Sequence, residues 1–373
     1  MFYKKSKFNF EIRTGSDSDI SHIEDLINLL KDFNLKFSQR ILSAHRTPHF
    51  MINEARKLKN RGFFLSVAAA GGSAHLPGMT ASETILPVIA IPIYTSLFDG
   101  IDSLLSSLQM PEGIPLGVSL IDDGISVFLY ILKIINYLSD YYIFNNEEFL
   151  VLKNYIADRS KKNKKVILIK EKLIDIYTLQ NKEKYFLKIK KRKNNTKNNI
   201  LIMIEDKCKL ISEYYNKIYD QIDKFGKKNG YNLSYEVLEI NKEEILKSKE
   251  EKIKEIINNI IDKNPKLIIA FEYFDCNPIS KMISDKVIYP LSCGFLSEKN
   301  KKLDFEILKS IFIKDEKDLF PLVFTGINRI ENSFLFNLNL LGLKHKIIEK
   351  KLSNLRKELK KSVYEKDKKI RKI

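Results

Sequence analysis

The chain has 373 residues, enough for two domains of ordinary size with their own cores, and a 44% hydrophobic share rich in Phe and Tyr excludes a disordered chain. A formal charge of +17 suggests a nucleic-acid partner until it is divided along the chain. Residues 1–150 hold 13 basic against 16 acidic side chains, residues 151–200 hold 16 against 4, and the excess in "RSKKNKK" and "KIKKRKNNTKNN" lacks interleaved aromatics, so it reads as a solvated linker and argues against nucleic acid.

The opening "MFYKKSKFNFEI" has no apolar core and no small-residue cleavage site, so no secretory signal is expected. Strand-like runs follow at "FNFEI", "KFSQRIL", "FFLSVAAA", "LPVIAIP" and "IPLGVSLI", alternating with helical stretches such as "ISHIEDLINLLKDF", where Ile23, Leu26, Ile27 and Leu30 share one face. Near-continuous apolar strands alternating with helices predict a three-layer α/β/α domain with a parallel sheet over residues 1–160. The most apolar stretch, "ISVFLYILKIINYLSDYYIF", is interrupted by Lys133 and Asp140, which favours a core helix over a membrane span. The helix "EEFLVLKNYIADR" ends this part, and residues 161–199 read as a basic tail and linker.

From residue 200 the order of elements begins again. "NILIMIED", "LSYEVLEI", "PKLIIAFEY", "VIYPLSCG" and "LFPLVFTGI" read as strands, with helices between them and a final basic amphipathic helix carrying Ile348, Leu352, Leu355, Leu359 and Val363. Landmarks such as Pro87/Pro290 and Pro115/Pro321 recur at an offset of roughly 200 residues, which predicts two tandem copies, the second (200–373) diverged. Two unrelated α/β domains are the alternative. Cys208, Cys276 and Cys293 lie far apart without CxxC spacing, which suits a reducing, cytoplasmic setting and offers no metal site.

In parallel sheets, ligands bind beyond the carboxyl ends of strands. Three loops of the first copy are rich in chemistry there. "TGSDSDI" puts a glycine, two hydroxyls and two carboxylates at the start of a helix, where free backbone N–H groups favour a phosphate and Asp19 caps the helix or accepts from sugar hydroxyls. "SAHRTP" sets His45, an imidazole able to move a proton, beside Arg46, a bidentate clamp for a phosphate; alone it reads more readily as a polar loop before a helix opened by Pro48. "AAAGGSAHLPGM" brings Gly71–Gly72 for close backbone approach to a flat ligand, and a second imidazole, His75. The second copy reads "IEDKCK", "INKEE" and "YFDCNPIS" at these places, and every one of those features is gone.

"GSDSD", "SAHRTP" and "GGSAHLPGM", followed by "TILPVIAIP" and "GIDSLLSSLQMPEGIP", closely resemble the class I PurE family, the 5-(carboxyamino)imidazole ribonucleotide mutases of purine biosynthesis. The resemblance covers about residues 8–158. It implies a flavodoxin-like fold, an octameric assembly, no metal and no cofactor. It also implies a reaction that moves a carboxylate from the exocyclic nitrogen of the imidazole to the ring carbon, with CO2 released and recaptured in a closed pocket. Carried over position by position, Ser16, Asp19 and Arg46 match nucleotide-binding residues, and His45 matches the general acid/base. Ser18, Ser43, Ala70, Gly71, His75 and Leu76 would line the ring and carboxylate pocket. The related direct carboxylases usually carry Lys-Gly in place of Arg46–Thr47.

The chain departs from the family at "SLIDDGISVFLYIL", where small residues are usual, and mildly at Ala69. His22, His49 and His345 are expected at the surface without a chemical role. An active mutase is the leading expectation, with small-molecule ribonucleotide as substrate and four tandem chains mimicking the octamer. A direct aminoimidazole ribonucleotide carboxylase and a non-catalytic nucleotide-binding scaffold are the rivals.

Overall fold

The computed structural model describes residues 9–139, 143–158, 166, 169–173, 199–226, 230–231, 233–298, 302, 304–313 and 318–371. Its frame is one ten-stranded sheet. The first half contributes β1 (Asn9–Thr14), β2 (Phe37–Ile41), β3 (Phe63–Ala70), β4 (Val88–Pro92) and β5 (Gly117–Val118). The second contributes β6 (Asn199–Glu205), β7 (Ser234–Ile240), β8 (Leu267–Tyr273), β9 (Leu291–Leu296) and β10 (Val323–Ile327). The strand order is β2-β1-β3-β4-β5-β10-β9-β8-β6-β7. Pairing is parallel within each half, and the halves meet at an antiparallel contact of Val118 with Phe324.

The first half thus has the order 2-1-3-4-5, the flavodoxin-like arrangement expected, with the switch in strand order between β1 and β3. Two features differ from expectation. The apolar cores are shared: one lies against α1 (Glu24–Asp32), α5 (Gly124–Leu138) and α6 (Asn146–Ala157) and continues under residues of the second half, and the other does the same on the opposite face. The strand expected over "IPLGVSLI" shrinks to Gly117–Val118, where the backbone passes so close to Phe336 that a Cβ on Gly117 would lie 2.7 Å from its ring.

The helices form where the sequence supplies both an apolar face and an end. In α1, Leu26, Ile27, Leu29 and Leu30 are buried. α2 (Pro48–Lys57) begins on a proline, whose missing N–H costs nothing in a first turn. α5 is capped by the Asp123 side chain on Ser126 N, and α6 by a reciprocal capping box between Asn145 and Glu148. α3 (His75–Glu83) and α4 (Ile101–Leu108) complete the first half. β1 breaks the apolar rule: Glu11 and Arg13 are both buried, and Arg13 Nε donates to Glu11 Oε1 at 2.6 Å.

The second half carries α7 (Ser212–Phe225), α8 (Lys242–Lys247), α9 (Lys249–Lys263), α10 (Ile279–Ser284), α11 (Phe305–Phe312), α12 (Ile330–Gly342) and α13 (Lys346–Ile370). On the long α13, Ile348 and Leu352 are buried, whereas Val363 at the far end of the predicted stripe is exposed. The basic linker expected over 161–199 lies outside the described residues except at 166, 169–173 and 199. There Val166, Ile169 and Leu173 are buried and Lys170 pairs with Asp32. Among the described residues no helix is long and apolar enough to cross a membrane.

Candidate active site

Because β1 lies between β2 and β3, with Thr14 opposite both Ile41 and Ala69, the loops after these three strands leave the sheet side by side. The first loop is held by Asp19. One oxygen of its carboxylate accepts the backbone N–H groups of Gly15 and Ser16, each at 3.0 Å, and folds "GSDSD" into a tight turn. The hydroxyls of Ser16 and Ser18 lie 2.7 Å apart on the exposed side of that turn.

The second loop is closed by Ser43, whose Oγ accepts from Arg46 N at 3.1 Å. The Arg46 side chain is exposed and its guanidinium pairs with no carboxylate among the described residues. An arginine left without an internal partner at a sheet's carboxyl edge is free to take an anion.

The third loop meets the second through two imidazoles. His45 Nε2 and His75 Nδ1 are 2.9 Å apart, and Ser73 Oγ is 2.6 Å from the same His75 nitrogen. In a contact between two ring nitrogens one must carry the proton and the other offer a lone pair, so this pair can pass a proton between rings. Gly71 is close-packed: a Cβ there would lie 3.2 Å from Thr95 Cγ2. Gly72 has φ of 70°, which bends the loop into α3. Ala70 is buried and its carbonyl accepts from Ser103 Oγ at 2.5 Å. Leu76 is also buried, so its side chain belongs to the core and only its backbone at the start of α3 could face a ligand.

The structure therefore brings Ser16, Ser18 and Asp19 into one turn, joins Ser43 to Arg46 and His45 to His75, and withdraws the Leu76 side chain. Sequence reading missed Ser73, passed over inside the "AAAGGSAHLPGM" loop, and Thr95 and Ser103, which fall in no loop that looked chemical. It also placed His22 at the surface without a role, whereas His22 is half-buried and Nδ1 donates to Asp122 at 3.1 Å. His49 is exposed as expected, and His345 is half-buried with its pKa lowered by burial.

The corresponding crevice of the second half, at the carboxyl ends of β6 and β8, is filled by its own side chains. Buried Lys242 pairs with Asp275 and lies 3.7 Å from Glu205. The carboxylate of Glu272 accepts the N–H groups of Ile279 and Ser280, each at 2.7 Å. Burial pushes the Glu205 carboxyl up to about 8. The only histidine of this half, His345, lies at the start of α13. Among the described residues no group of three or more His, Cys, Asp or Glu side chains could hold a metal ion.

Residues 10–141 match the family described as AIR carboxylase. The N5-carboxyaminoimidazole ribonucleotide mutase of Saccharolobus solfataricus is 42% identical over 121 residues, covering 32% of this chain and 77% of that protein. The mutase of the same name from Pyrococcus horikoshii is 44% identical over 121 residues, covering 32% and 68%. The phosphoribosylaminoimidazole carboxylase of Saccharomyces cerevisiae is 42% identical over 137 residues, covering 37% of this chain and 24% of that protein.

Proposed function

This chain belongs to the AIR carboxylase family, and from that premise we propose that it is an N5-carboxyaminoimidazole ribonucleotide mutase of purine biosynthesis, an isomerase acting through its first half. The observation that carries the reading is the His45–His75 contact beside Arg46, which pairs with no carboxylate among the described residues, and the Ser16–Asp19 turn, all at the carboxyl ends of adjacent strands. Arg46 and the exposed hydroxyls of the Ser16–Asp19 turn take the phosphate and ribose, leaving the imidazole of the substrate near His45.

The reaction needs little beyond this. The bond between the exocyclic nitrogen and its carboxylate breaks, CO2 leaves, and the nitrogen takes a proton. The ring carbon then attacks the same CO2, and the proton it carried is removed as the aromatic ring is restored. One imidazole that gives a proton in the first step and receives one in the second balances the isomerisation, and His45 fills that role with His75 as its relay. The Gly71–Gly72 backbone lets the loop approach the flat ring, and recapture of the CO2 requires that bound substrate exclude water from these loops.

The second half is read as a diverged copy that serves as a structural pseudo-subunit. What supports this is its strand order 7-6-8-9-10, the counterpart of 2-1-3-4-5, and a crevice occupied by Lys242, Asp275 and Glu205. The deciding experiment follows ultraviolet absorbance with purified full-length chain, offering either the carboxyamino substrate or aminoimidazole ribonucleotide with bicarbonate. Turnover of the first is expected. Turnover of the second alone would make it a direct carboxylase, and turnover of neither a binding scaffold.

A further inference from the structure

Two segments bordering the candidate site are tied together through a residue that the reaction itself does not use. Asp122 sits at the β5–α5 junction with φ of 52°, in the left-handed region that glycine occupies freely and other residues only with strain. Its backbone N–H donates to Pro92 O at 3.0 Å, anchoring it to the end of β4. One carboxylate oxygen accepts Tyr94 N at 3.0 Å, and the other accepts His22 Nδ1 at 3.1 Å.

These partners belong to different segments. His22 lies in the 3-10 turn Ser18–Ile23, which continues directly from the Ser16–Asp19 turn. Tyr94 opens the loop running to Gly100, whose next residue, Thr95, abuts the backbone of Gly71. The same loop exposes Leu97 by 79% and Phe98 by 55%, so its position decides what these apolar side chains cover. A strained position that could hold glycine, yet keeps a side chain bonded to two separate segments, points to that side chain's bonds as the reason.

We propose that Asp122 and His22 form a positioning pair that fixes the Tyr94–Gly100 loop against the nucleotide turn and so sets how tightly the pocket holds its ribonucleotide. This rests on the reading of Ser16–Asp19 and Gly71 as parts of the nucleotide site. Neither residue touches the reacting atoms.

The chain contains no tryptophan, so Leu97→Trp places a single indole on the loop. In that full-length background, Asp122→Gly removes both side-chain bonds while suiting the backbone, so folding is retained. Expected results are increased acrylamide quenching of the indole, a KM for the carboxyamino ribonucleotide raised about tenfold, and kcat within about twofold. Asp122→Asn, which keeps an acceptor for Tyr94 N, should recover most of the KM, and His22→Leu should reproduce part of the loss. Unchanged quenching and KM in Asp122→Gly would overturn the proposal. So would a fall in kcat with KM unmoved, or a KM loss that Asp122→Asn does not rescue. If the starting protein turns over neither substrate, the mutase reading fails, while indole quenching and direct nucleotide titration still decide the loop coupling.

Discussion

At the residue scale the two proposed roles in "SAHRTP" separate cleanly by experiment. His45→Asn keeps a polar side chain but cannot both give and take a proton. Turnover is expected to fall by about a hundredfold or more, the size typical of a lost general acid/base, while ribonucleotide affinity measured by calorimetry stays near wild type. Arg46→Ala should do the reverse, weakening ribonucleotide binding by about 2 kcal/mol or more while leaving the unphosphorylated nucleoside nearly indifferent. Equal losses for both ligands would remove the phosphate from Arg46. These residues were legible because each loop carries its chemistry in consecutive positions just past a strand. Asp122 and His22 were not, since they lie 100 residues apart and meet only once the β5–α5 junction is folded over the first loop. Thr95 escaped notice for a similar reason, as its importance is a distance to Gly71 and not a motif.

Among the elements, α5 carries the clearest consequence. Its apolar run was legible as a core helix, but Lys133 looked like a mere interruption. In the fold, Lys133 is fully buried at the seam between halves, where Nζ donates to Ser284 O at 2.5 Å and Pro321 O at 3.1 Å. Two carbonyls match the two N–H groups of a neutral amine. Burial accordingly lowers its pKa from 10.5 to about 7, only partly opposed by Asp285. Between about pH 7 and 10.5 the unfolded chain therefore holds a proton here that the folded chain lacks, so this residue makes stability rise with pH across that window. Below pH 7 both states are protonated and its contribution is flat. Lys133→Met should remove that rise when the variant's urea midpoints are compared with those of wild type at pH 7 and pH 10. An identical slope in the two proteins would show that Lys133 is already charged in the fold. No local pattern could have revealed this, because both acceptors come from more than 150 residues away.

For the whole molecule, the exchange of terminal helices between halves is the feature that bears on assembly. α6, which ends the first half, reaches the segment before β9: Asn146 Oδ1 accepts Ile288 N at 2.9 Å and Lys153 pairs with Asp285. α13, which ends the second, reaches the segment before β4: Arg356 donates to Ser82 O at 3.2 Å and Thr84 O at 2.9 Å, and Lys360 pairs with Glu83. Each half thus straps the other at the corresponding place in its strand order, with the antiparallel Val118–Phe324 contact between them. Such reciprocity is what two like subunits joined about a two-fold axis would show, and here it occurs within one polypeptide. If the second half stands in for a subunit, an assembly of eight such units needs only four chains. Its crevice, already filled by Lys242 and Asp275, would then contribute no site. Light scattering on the full-length protein should therefore give about four chains, and titration with the ribonucleotide should saturate at one per chain. The two measurements fail separately. A monomer that binds one nucleotide would leave the second half as a strap alone, whereas two nucleotides per chain would mean that the Lys242–Asp275 pair opens to admit a ligand and that the second half is a site after all.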